Sequence, residues 1–223
     1  VALAQINLNQ QDGHKVAVTP SKLVCIGRNY AEHIQELGNE IPDDMVVFLK
    51  PNSAISQTLN AFSQETIHYE AELCFMVKDG KFSAVGLGLD LTKRQLQGQL
   101  KAKGLPWERA KAFDGSAVFS EFTALEPSLP LSSLNWCFEL TLDGERLQWG
   151  DSELMLYTPQ QILTAISEFM TLEDGDIVMT GTPKGVGELK VGGEYRASLW
   201  DKSQVSQDMT QAQAIQTMLW QAS

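Results

Sequence analysis

The segment Tyr69-Glu70-Ala71-Glu72-Leu73 sets two carboxylates two residues apart inside a run that otherwise has the pattern of a buried strand. From Ile67 to Val77 one alternate set is Ile67, Tyr69, Ala71, Leu73, Phe75 and Val77, all apolar; the other is His68, Glu70, Glu72, Cys74 and Met76. Successive side chains of a strand point to opposite faces, so Glu70 and Glu72 share a face. Two like charges that close repel, and flanks this apolar do not suit a water-bathed ladder. A hard divalent cation such as Mg²⁺ or Mn²⁺ makes the arrangement favourable, because paired carboxylates suit oxygen-loving ions. By itself, Glu-x-Glu on a strand is more often the solvated face of an antiparallel sheet. The choice therefore rests on the rest of the chain.

The 223 residues allow one large domain or two small ones, and 43% hydrophobic content is enough for a sizeable core. A net charge of −11 argues against nucleic acid or an anionic membrane surface as partner. It leaves room for an anionic small substrate, since a local metal and a few Lys/Arg can reverse the field in one cleft. No apolar run approaches the roughly 20 residues of a membrane helix, and no secretory signal is expected. Cys25, Cys74 and Cys137 are odd in number, widely spaced and set in apolar runs. They read as buried thiols in a reducing, cytoplasmic setting rather than as disulfides or a zinc site.

Along the chain, residues 1–20 have the pattern of an N-terminal hairpin, followed by a strand at Lys22–Gly27. Asn29 suits the N-cap of a short helix from Tyr30 to Leu37, with Gly38 beyond it. Strands are expected at Met45–Leu49, Ile67–Val77 and Val85–Leu91. Thr92 then caps a helix running to Lys103, and a second short helix ends at Lys111. Cys137–Leu142 and Leu147–Trp149 flank an Asp143-Gly144 turn as a hairpin. Thr158-Pro159 opens an amphipathic helix over 159–170. Strands follow at Asp176–Thr180 and Glu194–Trp200, and residues 203–223 form a Gln-rich, weakly structured tail. The whole, 1–223, reads as one α+β domain that is mostly β.

Six segments, in order, resemble the fumarylacetoacetate hydrolase family: Ile26-Gly-Arg-Asn-Tyr-Ala-Glu-His33, Val47-Phe-Leu-Lys-Pro51, His68-Tyr-Glu-Ala-Glu-Leu73, Leu89-Asp-Leu-Thr92, Lys103-Gly-Leu-Pro-Trp107 with Lys111, and Glu173 through Gly187. The match is nearest to the acylpyruvate-hydrolase and oxaloacetate-processing branch. It implies a mixed β-roll with a few short helices around a divalent metal, Mg²⁺ or Mn²⁺, in a homodimer acting on a small 2-oxo acid. It gives Glu70, Glu72 and Asp90 as metal ligands, and His33 with Glu36 as a catalytic pair on a lid helix. Lys111 becomes the lysine that balances substrate or oxyanion charge, and Thr182 a contact to the substrate carboxylate. Arg94 and Gln97 share a helix face and suit a substrate carboxylate, while Arg28, Tyr30 and Lys50 are further pocket candidates. Lys101 and Lys103 read as solvated, and His68 as supporting the site without binding metal. The activity implied is hydrolysis of the C–C bond of acylpyruvate-like 2,4-dioxo acids through a metal-bound enolate. The alternative is a decarboxylase, tautomerase or isomerase of oxaloacetate or related dicarboxylic acids. A non-catalytic protein on the same fold would lack one of these residues, and none is missing.

Overall fold

A computed structural model describes residues 2–36, 38, 42–128, 130, 131, 135–202 and 214–223. Numbered in chain order, the strands of the largest sheet run β2 (Lys15–Val18), β1 (Ile6–Asn9), β10 (Phe122–Ala124), β7 (Lys81–Asp90), β6 (Ala71–Lys78), β13 (Ile177–Met179), β3 (Lys22–Gly27) and β4 (Val46–Pro51), with β9 (Ala117–Phe119) also on β7. The β1–β10 and β13–β3 pairs are parallel and the others antiparallel, so the sheet is mixed. A second, antiparallel sheet has the order β12 (Glu145–Asp151), β11 (Trp136–Leu142), β15 (Glu194–Asp201), β16 (Gln216–Gln221). A small third sheet joins β14 (Gly187–Glu188), β5 (Ile67–Tyr69) and β8 (Thr92–Lys93).

The period-2 pattern of the acidic strand explains where the core sits. Leu73, Phe75 and Val77 of β6 face Phe138, Leu140, Tyr195 and Leu199 of the second sheet in one apolar cluster. Phe75 stacks on Phe82 with centroids 4.7 Å apart and meets Trp136 edge-on at 5.2 Å. The opposite face of β6 is covered too: Cys74 and Met76 pack with Cys25, Ile177, Met179 and Phe122. Burying each such large side chain contributes about 1.5–3 kcal/mol. A strand covered on both faces leaves no solvated side for Glu72. The cysteines are free and buried, as expected.

Four short helices lie among the described residues: α1 (Ala31–Glu36), α2 (Arg94–Ala102), α3 (Glu108–Lys111) and α4 (Pro159–Ser167). α4 begins with a capping box between Thr158 and Gln161. The expected hairpins are present, and Asp143 and Gly144 both take positive φ (50° and 90°), as a tight two-residue turn requires.

Several expectations need correction. The strand Ile67–Val77 is broken at Glu70, so β5 and β6 belong to different sheets. Thr92 does not cap α2: Lys93 stands at the N-cap and its side chain makes no capping bond, and Glu65 accepts the N–H groups of Gln95 and Leu96 instead. Nor is Asn29 placed as a cap for α1. Its amide donates to the carbonyls of Tyr157 (3.0 Å) and Thr180 (2.8 Å). Tyr30 lies before α1 in a bridge with Met155. The end of that helix at Leu37 and residues 203–213 of the tail lie outside the described residues. Gln216–Gln221, expected as weakly structured, is a strand paired along β15, with Trp220 opposite Tyr195 and only 5% exposed.

Candidate active site

Glu70 sits at the junction of β5 and β6, Glu72 two residues on, and Asp90 at the end of β7. The β6–β7 pairing sets Glu72 against Gly88 and Ala71 against Leu89, and the Asp90 N–H donates to the Glu70 carbonyl at 2.8 Å. The local hydrogen bonding thus brings three acids together from two adjacent strands. One carboxylate oxygen from each lies within 4.8 Å of the others, and all three residues are buried. They line a cleft of about 50 Å³ whose walls also carry Arg28, His33, Arg94, Gln97, Lys101, Trp107, Lys111 and Thr182.

Cations hold part of this charge. Lys111 Nζ donates to Glu70 Oε2 (3.0 Å), Asp90 Oδ2 (2.6 Å) and the Thr92 hydroxyl (2.6 Å). Arg94 pairs with the other oxygen of Glu70 and donates to Gln97 at 2.7 Å. Burial raises the Glu70 carboxyl, but Lys111 and Arg94 outweigh it and hold it well below the usual range. Glu72 goes the other way: burial, then Asp90 and Glu70, push it up, against the Gly181 N–H at 2.8 Å and the Lys111 charge. Burial alone would lower Lys111, yet Asp90 and Glu70 raise it.

A divalent cation fits these residues. Their donors are carboxylate oxygens, which suit Mg²⁺ or Mn²⁺. Glu72 has no cationic side chain bonded to it among the described contacts, and Asp90 Oδ1 accepts no hydrogen bond although Lys50 Nζ stands 2.8 Å away. The Lys50 protons are directed instead to the carbonyls of Leu91, Lys111 and Ser116.

Over the triad, α1 brings in His33, 5% exposed, with Nδ1 3.3 Å from Glu36 Oε2. Glu36 also accepts the Gly185 N–H through both oxygens (3.0 and 3.1 Å). Gly185 has φ +97°, and a Cβ there would lie 2.2 Å from the Leu147 carbonyl, so only glycine brings this N–H to the carboxylate.

Residues 22–218 match the model of the fumarylacetoacetate (FAA) hydrolase C-terminal family. The chain belongs to the fumarylacetoacetate hydrolase family. It is 36% identical over 191 residues to the oxaloacetate tautomerase YcgM of Escherichia coli, covering 78% of this chain and 86% of that one. A fumarylacetoacetate isomerase/hydrolase-type protein from Oleispira antarctica superimposes with a TM-score of 0.86 at 32% identity, covering 99% of this chain and 100% of that one. The fumarylpyruvate hydrolase of Pseudomonas aeruginosa, solved with Mn²⁺ and pyruvate, has a TM-score of 0.79 at 28% identity over 89% of this chain and 93% of that one. The mostly β, mixed-sheet fold with short helices is the fold of this family.

Around this cleft the expected residues separate into two groups. Glu70, Glu72, Asp90, Lys111, His33, Arg94, Gln97, Thr182 and Arg28 share the cleft wall, and Glu36 meets His33 from behind. Tyr30 and Lys50 do not line it. Tyr30 is 3% exposed in the core between the sheets, its hydroxyl without a partner. Lys50 is fully buried beneath Asp90, where its ammonium braces the carbonyls around Lys111. His68 is half-buried, 3.8 Å from Glu188 and off the cleft wall.

Three residues gain roles that the sequence did not suggest. Thr92 joins the charge cluster, its hydroxyl donating to Glu70 at 3.2 Å. Lys101, read as solvated, is exposed and also lines the cleft. Gln148 of β12, 1% exposed, accepts the Ala71 N–H at 2.9 Å and donates to Thr182 Oγ1 (2.8 Å) and the Pro183 carbonyl (2.9 Å). It thereby ties the peptide between Glu70 and Glu72 to the Gly-rich loop. Its signal was slight: a glutamine between Leu147 and Trp149 in a hairpin strand reads as a surface residue. Among the described residues no helix is long and apolar enough to cross a membrane.

Proposed function

We propose that this chain interconverts the enol and keto forms of oxaloacetate with Mg²⁺ or Mn²⁺ held by Glu70, Glu72 and Asp90. The observation that carries the reading is a buried three-carboxylate cluster lining the same cleft as the His33 imidazole. Likeness to the E. coli oxaloacetate tautomerase supports this reaction over the others such a cleft could carry out.

Bound there, the ion would supply Lewis acidity that polarises the substrate's 2-oxo group. The rest falls to the chain's own groups. His33 takes a proton from C3, which two flanking carbonyl carbons make acidic, and returns it to the 2-oxo oxygen. Glu36 orients the imidazole and stabilises its protonated form. Lys111, whose ammonium stays charged between Glu70 and Asp90, offsets the negative charge that develops on the oxygen. Arg94, Gln97 and Thr182 hold the substrate end by hydrogen bonds. The same charge balance serves decarboxylation, in which the C4 carboxylate leaves C3 as CO₂, the electron pair stays as the enolate, and protonated His33 then gives a proton to C3.

The test follows the ultraviolet absorbance of enol-oxaloacetate diluted into buffer with Mg²⁺ or Mn²⁺. Faster decay with the protein, abolished by chelator, supports the reading; decay at the buffer rate overturns it. One observation favours a second reading: the His33–Glu36 pair can also activate water, and the Pseudomonas fumarylpyruvate hydrolase shares the fold. Pyruvate release from fumarylpyruvate or acetylpyruvate, without enol decay, would select that C–C hydrolase. A homodimer and a small 2-oxo acid as the only partner belong to the same proposal, and sedimentation of the metal-loaded protein tests the former.

A further inference from the structure

We infer that Glu65, outside the cleft, is a positioning residue for Arg94 and Gln97: it holds the first turn of α2 so that both side chains meet the carboxylate of a 2-oxo acid. The inference rests on the reading that these two residues bind that carboxylate.

Left to its own sequence, α2 starts badly. Lys93 at the N-cap and Arg94 after it put two cations at the end of a helix that carries partial positive charge, and no acid stands in the first turn. The Lys93 side chain makes no bond to the free N–H groups of that turn. Packing adds little, since only Gln97 and Leu100 of α2 are buried. A helix that must deliver Arg94 to the cleft therefore needs an anion and an acceptor from elsewhere.

Glu65 supplies both. Its Oε1 accepts the Gln95 N–H at 2.8 Å, and its two oxygens stand 3.4 and 3.3 Å from the Leu96 nitrogen. These are the second and third residues of α2, whose N–H groups an N-cap side chain would otherwise take. The preceding residue reaches the same end: Gln64 Oε1 accepts from Lys93 Nζ at 3.1 Å. Gln64 takes φ 68°, a region uncommon for residues other than glycine. The turn that carries this pair is anchored. The Ser63 N–H donates to the Glu65 carbonyl (3.0 Å) and the Ile67 N–H to the Ala61 carbonyl (2.9 Å), and both Ala61 and Ile67 are buried. β5 then pairs with β8, setting Ile67 opposite Lys93 and His68 opposite Thr92. The turn and the start of α2 are one hydrogen-bonded unit. Its inner side carries Arg94, paired with Glu70 and donating to Gln97 at 2.7 Å. Arg94 and Gln97 are the first and fourth residues of α2, so a shift of its first turn moves both against the acids of the cleft.

Oxalate titrated calorimetrically into Mg²⁺-loaded protein, with amide exchange along α2, tests this without turnover. Glu65→Ala is expected to quicken exchange at Gln95 and Leu96. It should weaken oxalate by about tenfold, the worth of one charge-assisted hydrogen bond, and change Mg²⁺ affinity by less than about threefold. Glu65→Gln keeps an oxygen within reach of both N–H groups and should restore most of the oxalate affinity. Gly98→Ala separates position from helix strength. Gly98 lies in α2 with nothing within 4 Å of an added Cβ, so alanine there favours the helix without touching the cleft. Added to Glu65→Ala, it should slow exchange again and leave oxalate weak. Should Glu65→Ala not fold, Glu65→Asp, one methylene short of the same N–H groups, carries the same expectation. Oxalate affinity unchanged by the loss of Glu65, or restored by Gly98→Ala, overturns the inference. Arg94→Met protein that binds oxalate as wild type does, or wild-type protein that does not bind it with Mg²⁺, overturns the underlying reading and the inference with it.

Discussion

The floor of the cleft and its roof are built differently. The floor, Glu70, Glu72 and Asp90, stands on a strand covered on both faces and on its hydrogen-bonded neighbour, and it is buried. The roof, α1, is a single short helix. Among the described residues its polar contacts to the Gly-rich loop include the Glu36–Gly185 hydrogen bonds and an ion pair between Glu32 and Lys184, 3.0 Å apart and about two-thirds exposed. Exposed pairs of this kind contribute roughly 0–1 kcal/mol. Charge that must be fixed before any ligand arrives is placed on the sheet. The proposed proton-transfer group, His33, is placed on a helix that has two buried side chains, His33 and Ile34, and joins the Gly-rich loop through polar contacts. If this contrast is right, changes to the floor remove binding and chemistry together, and changes to the roof remove chemistry alone.

The largest effect is expected from Glu72→Gln. With one acid gone, divalent-ion binding by calorimetry should be lost and enol decay should return to the buffer rate. The metal-free protein should melt no lower than wild type, because burial, Asp90 and Glu70 all disfavour a carboxylate at this position, and the neutral amide keeps an oxygen to accept the Gly181 N–H. A large drop in melting temperature would mean that Glu72 is a structural acid and the floor needs no metal. Next is His33→Ala. A general base contributes typically 10²–10⁴-fold, so turnover should fall by at least about 10²-fold with KM changed less than about threefold. A rise in KM with turnover intact would make His33 a binding residue and erase the distinction between floor and roof.

How much of this was legible in the sequence depends on what each residue type reveals by itself. The face shared by Glu70 and Glu72 was legible because alternation is a local property. The break at Glu70 was not, since periodicity says nothing about which sheet a strand joins. Asp90 became a ligand candidate only through the family resemblance; from its own neighbours it is an acid at a strand end. Lys101 reads as solvent-facing and is exposed, but that it also lines the cleft shows only once Trp107 arrives from another element. β16 was hidden by composition: Gln216 and Thr217 look polar, and the inward turn of Met218 and Trp220 shows only once β15 lies beside them. Lys50 shows the converse. The resemblance put it in the pocket, whereas its full burial turns its charge to Asp90 and three carbonyls.

An intermediate effect is expected at the joint between floor and roof. Gln148→Ala leaves the buried Ala71 N–H without an acceptor and Thr182 without its donor. The unsatisfied group should cost about 1–3 kcal/mol of stability in denaturant unfolding. Ion affinity should weaken by roughly 10- to 100-fold, the usual range for a group that supports metal ligands. Gln148→Glu keeps the acceptor for Ala71 and loses the donor to Thr182 and Pro183. If it recovers ion affinity but not stability, the Ala71 bond is what sets the spacing of Glu70 and Glu72. Unchanged ion affinity in Gln148→Ala would show that the strand alone holds the floor.

The smallest effect concerns the roof, and it is the sharpest test of the contrast. Lys184→Ala removes the ion pair with Glu32 but leaves the Gly185 N–H, which belongs to the backbone, on Glu36. Global stability should change by less than about 1 kcal/mol. Amide exchange in α1 should quicken modestly, and the difference from wild type should shrink as salt rises, because both partners are exposed and screened. Bound Mg²⁺ and oxalate should slow exchange in α1 for both proteins, since a filled cleft gives His33 an anion to close on, while β6 and β7 remain protected throughout. Equal protection of α1 and β6 before ligand is added would mean that the roof is as fixed as the floor. The Glu36–Gly185 bonds would then be a permanent strut, and the cleft would exchange its contents without α1 moving.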